Sequence, residues 1–474
     1  MRIVQVSASD IQGGAARAAN RLHCALAGAG QESFMLVKEK RSDDSRVFPI
    51  ELDSSSASQR TCESLRRTQK YYIDSFRRKT CGSYFSLPAP GFDLSALPLI
   101  QDAEVVNLHW VGGLLSPAAI ARLQEVKQPI FWTLHDQRAF TGGCHFSAGC
   151  RNYENYCDRC PQLPGDSFGV SKAGLAESMA LLRPEEFVFI APSRWMADCA
   201  RRSVLGAMAQ VEVIPNGIDT RVFKGAVKAE ARKKLGLDPQ SIIFLFGADN
   251  FTEKRKGFAE LSRVIDCCMA EPDFRSGVES RRILWVCFGN SEENESSFGV
   301  PVHGFGRVTD DGLLASIYAA ADAFVLPSTE DNLPNTMLES MCCGTPVVGF
   351  NIGGVPDAVV PDETGLLAPA LDCGAFAKAL CRLAGDAVLR TSLSEKCLVE
   401  APKRFSMELQ AQRYLALYKE CGPRNLAKKK AVSECVYVPP SEAFLALSKS
   451  MAHAATRERW EGLFRKLKRS VLRK

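Results

Sequence analysis

No apolar run in this chain of 474 residues approaches the ~20 that a membrane-spanning helix needs, which argues against a chain that crosses a bilayer as a helix. A signal peptide is missing too: residues 2–7 run from Met1 straight into what reads as a strand, so the chain is expected to fold in the cytoplasm. There is no visible internal repeat. Disulfide scaffolding is disfavoured although cysteine is plentiful, because the 18 cysteines are scattered through a long chain without a leader. Most of them, such as Cys267, Cys268, Cys342 and Cys343, lie in apolar helical contexts and read as small core residues. Overall charge is also slight, at a net +5, but that average hides unlike parts. Residues 457–474 hold +6 and residues 60–79 hold +5, leaving −6 on the rest. An acidic body with two basic patches favours an anionic surface as partner.

What is present fits a soluble globular protein of about two to three domains. Strand and helix patterns alternate through the first half. Residues 2–7 form a strand, Gly13 and Gly14 follow, and Ala15, Ala18, Ala19, Leu22, Ala25 and Leu26 recur at helical spacing. Paired glycines there let the backbone approach a ligand ahead of the helix amides, although such pairs are often only a tight turn. Residues 40–100 are less regular; Leu65, Tyr72, Ile73 and Phe76 give one apolar side among arginines, read as a solvated helix or a membrane-facing one. Strands at 105–109 and 129–135 each end in a histidine, His109 and His135, and two such ends suggest a lined cleft. Strands at 187–193 and 211–216 complete this half, and the turn Pro215-Asn216-Gly217 closes it.

Between them Cys144, Cys150, Cys157 and Cys160 are spaced C-x5-C-x6-C-x2-C. The last pair has the form of a metal knuckle, yet the gaps match no common finger, so structural zinc and reduced core thiols both stay open. Four thiolates would close the site to water, and such a zinc would pin a loop without doing chemistry.

A second alternation begins at 242–248, followed by a loop with Lys254, Arg255 and Lys256 and by strands at 282–289, 300–304 and 323–326. The last opens the most informative stretch, AFVLPSTEDNLPNTMLESMCCGTPVVGF, residues 323–350. It reads as strand, polar loop, helix with an apolar side of Met337, Leu338 and Met341, a stop at Gly344, and strand. At the carboxyl end of a parallel strand such a loop binds ligands, with the helix dipole behind it favouring an anion. Asp331 and Glu339 flank the helix start, where solvated helix charges are the plain alternative.

Together with Gly13-Gly14, the strand ending Thr133-Leu-His-Asp136, Ala191-Pro-Ser193, Val213-Ile-Pro-Asn-Gly-Ile-Asp219, Lys256-Gly257 and Gly353-Gly-Val-Pro-Asp357, this stretch resembles the retaining glycosyltransferases of family 4 (group 1). The resemblance runs from Arg2 to about Cys421, and the cysteine loop is similar to that of relatives from bacterial surface-polysaccharide pathways. It implies the GT-B fold, two doubly wound Rossmann-like domains facing across a cleft. Residues 1–216 would be the acceptor domain, with the cysteine loop at 141–163, and 217–423 the donor domain, whose last helix can cross back.

By the same resemblance Lys256 would bind the donor's phosphates. The usual partner arginine stands where this chain has Phe251, so Arg255 or Lys254 would substitute. Leu333, Asn335 and Thr336 would add helix-end contacts, Glu339 would accept from ribose hydroxyls, and Gly13 and Gly14 would bring backbone to the acceptor or the donor phosphate. His135 would meet a hydroxyl or the phosphate of the reacting sugar. The first acid of the family's pair is usually glutamate; here Asp331 takes that place and Glu330 stands in reserve. No Asp-x-Asp motif occurs in a metal-binding context, in keeping with catalysis that uses no metal cofactor.

Residues 424–456 read as a linker with a short helix and 457–474 as a basic amphipathic tail, with Trp460, Leu463, Phe464, Leu467 and Val471 on one stripe. Lying on anionic lipid is preferred there over docking on the protein body, and nucleic acid is a distant third. The expectation is a cytoplasmic, peripheral membrane enzyme of polysaccharide assembly that moves a sugar from a nucleoside diphosphate to a saccharide or lipid-linked acceptor. A sugar-nucleotide epimerase and a non-catalytic sugar-binding relative are the alternatives.

Overall fold

The computed structural model describes residues 1–51, 56–78, 83–126, 129–248, 251–289, 298–422 and 435–452. Two parallel sheets form its frame. In the first the strand order is Val47–Pro49, Glu32–Glu39, Arg2–Ser9, Val105–Leu108, Ile130–Thr133, Phe187–Ala191 and Gln210–Val213. In the second it is Val302–Gly304, Ile283–Gly289, Ile242–Ala248, Ala323–Leu326, Val347–Phe350 and Gly365–Ala368. Central strands such as Val105–Leu108 and Ala323–Leu326 are buried throughout, as parallel strands covered by helices on both faces must be.

Both sheets are doubly wound, and each has a point where the strand order reverses. In the first it lies between Arg2–Ser9 and Val105–Leu108, in the second between Ile242–Ala248 and Ala323–Leu326. Loops at the carboxyl ends of such strands diverge and leave a crevice for ligands. The helix Gly14–Gly28 springs from the first reversal and Asn335–Cys342 from the second.

The helix Met407–Cys421 leaves the second unit and lies on the first. Its buried side, Met407, Ala411, Tyr414, Leu417 and Tyr418, packs with Ile3, Leu22, Phe131 and Val188. The crossover is pinned where Ile218 N–H donates to Phe405 O (2.7 Å) and Met407 N–H to Ile218 O (3.0 Å).

Three sequence expectations change. The helix Ser56–Phe76 turns its apolar side neither to solvent nor to a membrane: Leu65, Tyr72 and Ile73 pack on Phe85, Leu87, Leu163, Phe444 and Met451. Apolar spacing shows that a side will be covered without showing by what. Residues 435–452 are not a free linker, because Tyr437–Val438 pairs antiparallel with Gly91–Phe92 and the following helix, 442–452, buries Phe444 and Met451. Cys267 is exposed, whereas Cys268, Cys342 and Cys343 are buried. The amphipathic tail, with Trp460, Leu463, Phe464, Leu467 and Val471, lies outside the described residues.

Candidate functional site

The two crevices face each other and enclose a cleft of about 370 Å³. Gly13, Gly14 and His135 line it from the first unit; Arg255, Lys256, Asp331, Leu333, Asn335, Thr336 and Glu339 line it from the second. Nearly every residue singled out in the sequence thus meets in one place. The exceptions are Glu330 and Lys254, which line a neighbouring cavity, His109, which lines a small cavity behind His135, and the four loop cysteines, which line another.

The loop after Ala323–Leu326 closes the cleft floor by bonding to the opposite unit. Buried Asn332 donates to the carbonyls of Leu134 (2.9 Å) and His135 (3.2 Å) and accepts from the Ser193 hydroxyl (2.6 Å). Asn335 donates to Gly14 O (2.9 Å), and Asn216, of the Pro-Asn-Gly turn, donates to Asn335 Oδ1 (3.2 Å). Gly353 backs this loop with φ +51°, where a Cβ would stand 1.9 Å from Asp331 O; no other residue fits. Glu330 turns away from the cleft and accepts from Ala148 N–H (2.8 Å) on the cysteine loop.

Asp331 sits between two cations. Lys256 Nζ lies 2.7 Å from one carboxylate oxygen and Arg255 Nη1 3.1 Å from the other. Burial alone would raise the Asp331 carboxyl, but the two cations outweigh it and bring it down to about 2. Arg255 also bonds Glu253 (2.6 Å) and lies 4.0 Å over the ring of Phe146 from the cysteine loop. The second cation beside Lys256 is therefore Arg255. Phe251 is buried in the core, stacked 4.1 Å from Phe258.

Glu339 is buried at 2 % exposure with both oxygens engaged, by Arg21 (2.6 Å) and by the Tyr318 hydroxyl (3.1 Å). Arg21 lies on the first unit's helix, and its neighbour Arg17 pairs with Asp311, so two ion pairs cross the cleft side by side. Sequence reading missed Arg21 and Tyr318. Arg21 falls two turns after the glycine pair, on the same helix, which was the available signal.

His135 is half-buried, its Nε2 2.9 Å from Nδ1 of buried His109. Burial holds His135 down to about 4, with Asp136 pulling the other way, and pushes His109 well below its ordinary value. Asp136 is itself bonded to His145 (2.6 Å), which together with other contacts outweighs burial and keeps it below the usual carboxylate range.

The four loop cysteines line one small apolar cavity. Gly142 N–H donates to Cys157 Sγ (3.3 Å) and Asn152 N–H to Cys150 Sγ (3.4 Å). Burial pushes the Cys144 and Cys160 thiols up and that of Cys157 to about 12. Among the described residues no group of three His, Cys, Asp or Glu side chains is arranged to hold a metal ion. As placed, the sulfurs line a cavity rather than a coordination shell.

Residues 250–386 match the family described as Glycosyl transferases group 1. Among curated proteins the chain is 33% identical over 221 residues to a D-inositol 3-phosphate glycosyltransferase of Actinosynnema mirum, covering 44% of this chain and 52% of that one. It is 30% identical over 259 residues to the protein of the same name from Kribbella flavida, covering 51% and 60%. The chain thus spans about half the length of the curated relatives it matches. Among solved structures, sucrose-phosphate synthase from Thermosynechococcus elongatus superposes with a TM-score of 0.60 at 19% identity over 88% of this chain and 98% of that one. Anabaena HepE in complex with UDP-glucose gives 0.58 at 14% over 88% and 99%, and WaaG, a glycosyltransferase involved in lipopolysaccharide biosynthesis, 0.56 at 14% over 88% and 99%. The two facing sheets are those of the GT-B fold.

The Asp331 carboxyl makes stability depend on acid in a defined window. Its folded value, about 2, lies below the ordinary 3.8, so its contribution is complete above pH ~4 and disappears as pH falls through about 2. The shift corresponds to about 2 kcal/mol. Urea unfolding of Asp331→Asn between pH 4.5 and 2.5 is expected to show a shallower loss of stability than the parent; parallel curves would remove Asp331 from the cation pair.

Proposed function

We propose, for a chain that carries a Glycosyl transferases group 1 domain within a GT-B fold, that it moves a sugar from a nucleoside-diphosphate sugar to an acceptor hydroxyl with retained anomeric configuration. The observation that supports this best is the convergence of Lys256 and Arg255, the open end of the helix Asn335–Cys342 and Glu339 on one cleft. A departing diphosphate gains negative charge as its bond to the sugar breaks, and fixed cations and amides stabilise that charge in the transition state. Lys256 and Arg255 are held by Asp331 until the phosphates arrive, so the clamp is built before the ligand binds. Glu339 has lone pairs left beside Arg21 and Tyr318 for ribose hydroxyls. Asp331 stands where the donor sugar would follow.

The step we infer has no covalent enzyme intermediate. The bond from the anomeric carbon to phosphate oxygen breaks, the acceptor oxygen bonds on the same face, and its proton passes to the departing phosphate. The acceptor is proposed to be a saccharide, lipid-linked, in surface-polysaccharide assembly at the inner face of the membrane. The likeness to WaaG supports the pathway, and the basic stripe at 457–474 supports the membrane contact.

Calorimetric titration with a panel of sugar nucleotides is expected to give binding to at least one. No binding to any would remove the transferase reading, and conversion of the donor without acceptor would favour epimerisation. With the donor so found, Lys256→Ala is expected to lower turnover more than tenfold, in line with the ~2–4 kcal/mol such groups supply; unchanged turnover would refute its role. Deleting 457–474 is expected to abolish sedimentation with anionic vesicles and to spare transfer to a soluble acceptor; a truncated chain that still sediments would sink the lipid contact.

Structural zinc on Cys144, Cys150, Cys157 and Cys160 is proposed as a staple of the loop that carries Phe146 and Ala148, with no part in the reaction. Binding would have to draw the sulfurs together from their present positions. Elemental analysis of protein purified without chelator is expected to return one zinc per chain, and a metal-free protein of full activity would leave the thiols as core.

A further inference from the structure

Gln5 and Asn107 lie inside two adjacent parallel strands and Thr133 ends the third, all buried where apolar residues are the rule. Their side chains join into one hydrogen-bonded ladder beneath the crossing helix Met407–Cys421. Thr133 Oγ1 donates to Asn107 Oδ1 (3.1 Å) and meets the Tyr414 hydroxyl (3.0 Å), and Asn107 Nδ2 donates to Gln5 Oε1 (2.9 Å). Gln5 Oε1 also faces His109 Nε2 at 2.7 Å. An unprotonated Nε2 there would set lone pair against lone pair, so the proton of His109 sits on Nε2. The Asn107 amide nitrogen gives one of its two hydrogens to Gln5 and stands 3.2 Å from the same Nε2, but the shorter contact to the Gln5 oxygen decides where the His109 proton sits.

The consequence passes to the cleft. With Nε2 protonated, His109 Nδ1 can only accept, and the hydrogen at 2.9 Å must come from His135 Nε2. His135 Nδ1 is then left with a lone pair, and among the described residues it has no hydrogen-bond partner. His135 lines the cleft with Lys256 and Asp331. A lone pair there accepts from a hydroxyl and repels a phosphate oxygen.

We propose that His109 is a positioning residue: it locks His135 in the Nε2–H form, so that His135 Nδ1 accepts from a hydroxyl of the bound sugar or acceptor. Burial keeps both rings neutral, which preserves this arrangement at neutral pH. The ladder explains why polar residues occupy the sheet interior at all. The inference rests on the transferase reading only for whose hydroxyl it is.

The full chain has only six histidines, so labelling them with nitrogen-15 and recording long-range proton correlations at pH 7 resolves each tautomer. His135 is expected as Nε2–H in the ligand-free protein. His109→Phe is expected to release it into a mixture of tautomers and to lower kcat roughly tenfold, the worth of about one hydrogen bond, with KM for the donor little changed. His109→Gln, whose amide oxygen can accept the same proton, is expected to restore the tautomer. A ladder running in the opposite sense, with both amides turned, would show His135 as Nδ1–H and overturn the proposal; so would an unchanged tautomer in His109→Phe. If that variant does not fold, the parent spectrum still decides. The tautomer is read without substrate, so a chain that transfers nothing would fail the functional reading while leaving this result intact.

Discussion

A loop that is buried must find partners for polar groups that water would otherwise satisfy, and each group left without one costs about 1–3 kcal/mol. The loop from Ser328 to Asn335 meets that demand by bonding to the opposite sheet. Asn332 holds the strand end at Leu134 and His135, Asn335 holds Gly14, and Ser193 holds Asn332 in return. The two units therefore face each other in one register because the floor of the cleft is hydrogen-bonded to its roof. Glycine backs this arrangement where a side chain would collide, at Gly353 behind Asp331.

Charge in the cleft is compensated before any ligand is present. Asp331 and Glu253 together offset Arg255 and Lys256, and Arg21 neutralises Glu339. A buried charge without a partner costs several kcal/mol, so cations that face a cleft are kept paired while it is empty. An arriving anion can share these cations with Asp331, and the carboxylates keep lone pairs free to accept hydrogen bonds. The cysteine loop joins the same network, with Phe146 under Arg255 and Ala148 donating to Glu330. The cysteine loop thus helps to set the position of a charged group.

Much of this was legible in the residue order. The stretch 323–350 was read as strand, loop, helix and strand, and it is Ala323–Leu326, Asn335–Cys342 and Val347–Phe350 with the polar loop between. Local spacing decides such elements because each buried face must recur with the period of its own backbone. His109 and His135 were found as strand ends. Arg21 was not, because an arginine inside a helix carries no local mark of a partner more than 300 positions away. Residues 60–79 read as a solvated helix, or else a membrane-facing one, for the same reason: the stripe of Leu65, Tyr72 and Ile73 is visible in sequence, and its cover, Phe444 and Met451, comes from far along the chain.

The sequence by itself determined the alternation of strands and helices, the two units, and which loops hold the polar residues, since these depend on neighbours a few positions apart. Tertiary structure alone decided that Arg255 rather than Lys254 stands beside Lys256, that Asp331 and not Glu330 faces the cleft, and that Glu339 is shared with Arg21 and Tyr318. Adjacent residues in a loop point in different directions, and only the packing of the opposite unit fixes which one turns inward. The hydrogen-bond direction that reaches His135 is likewise a property of three strands and a crossing helix brought together, and no single segment contains it.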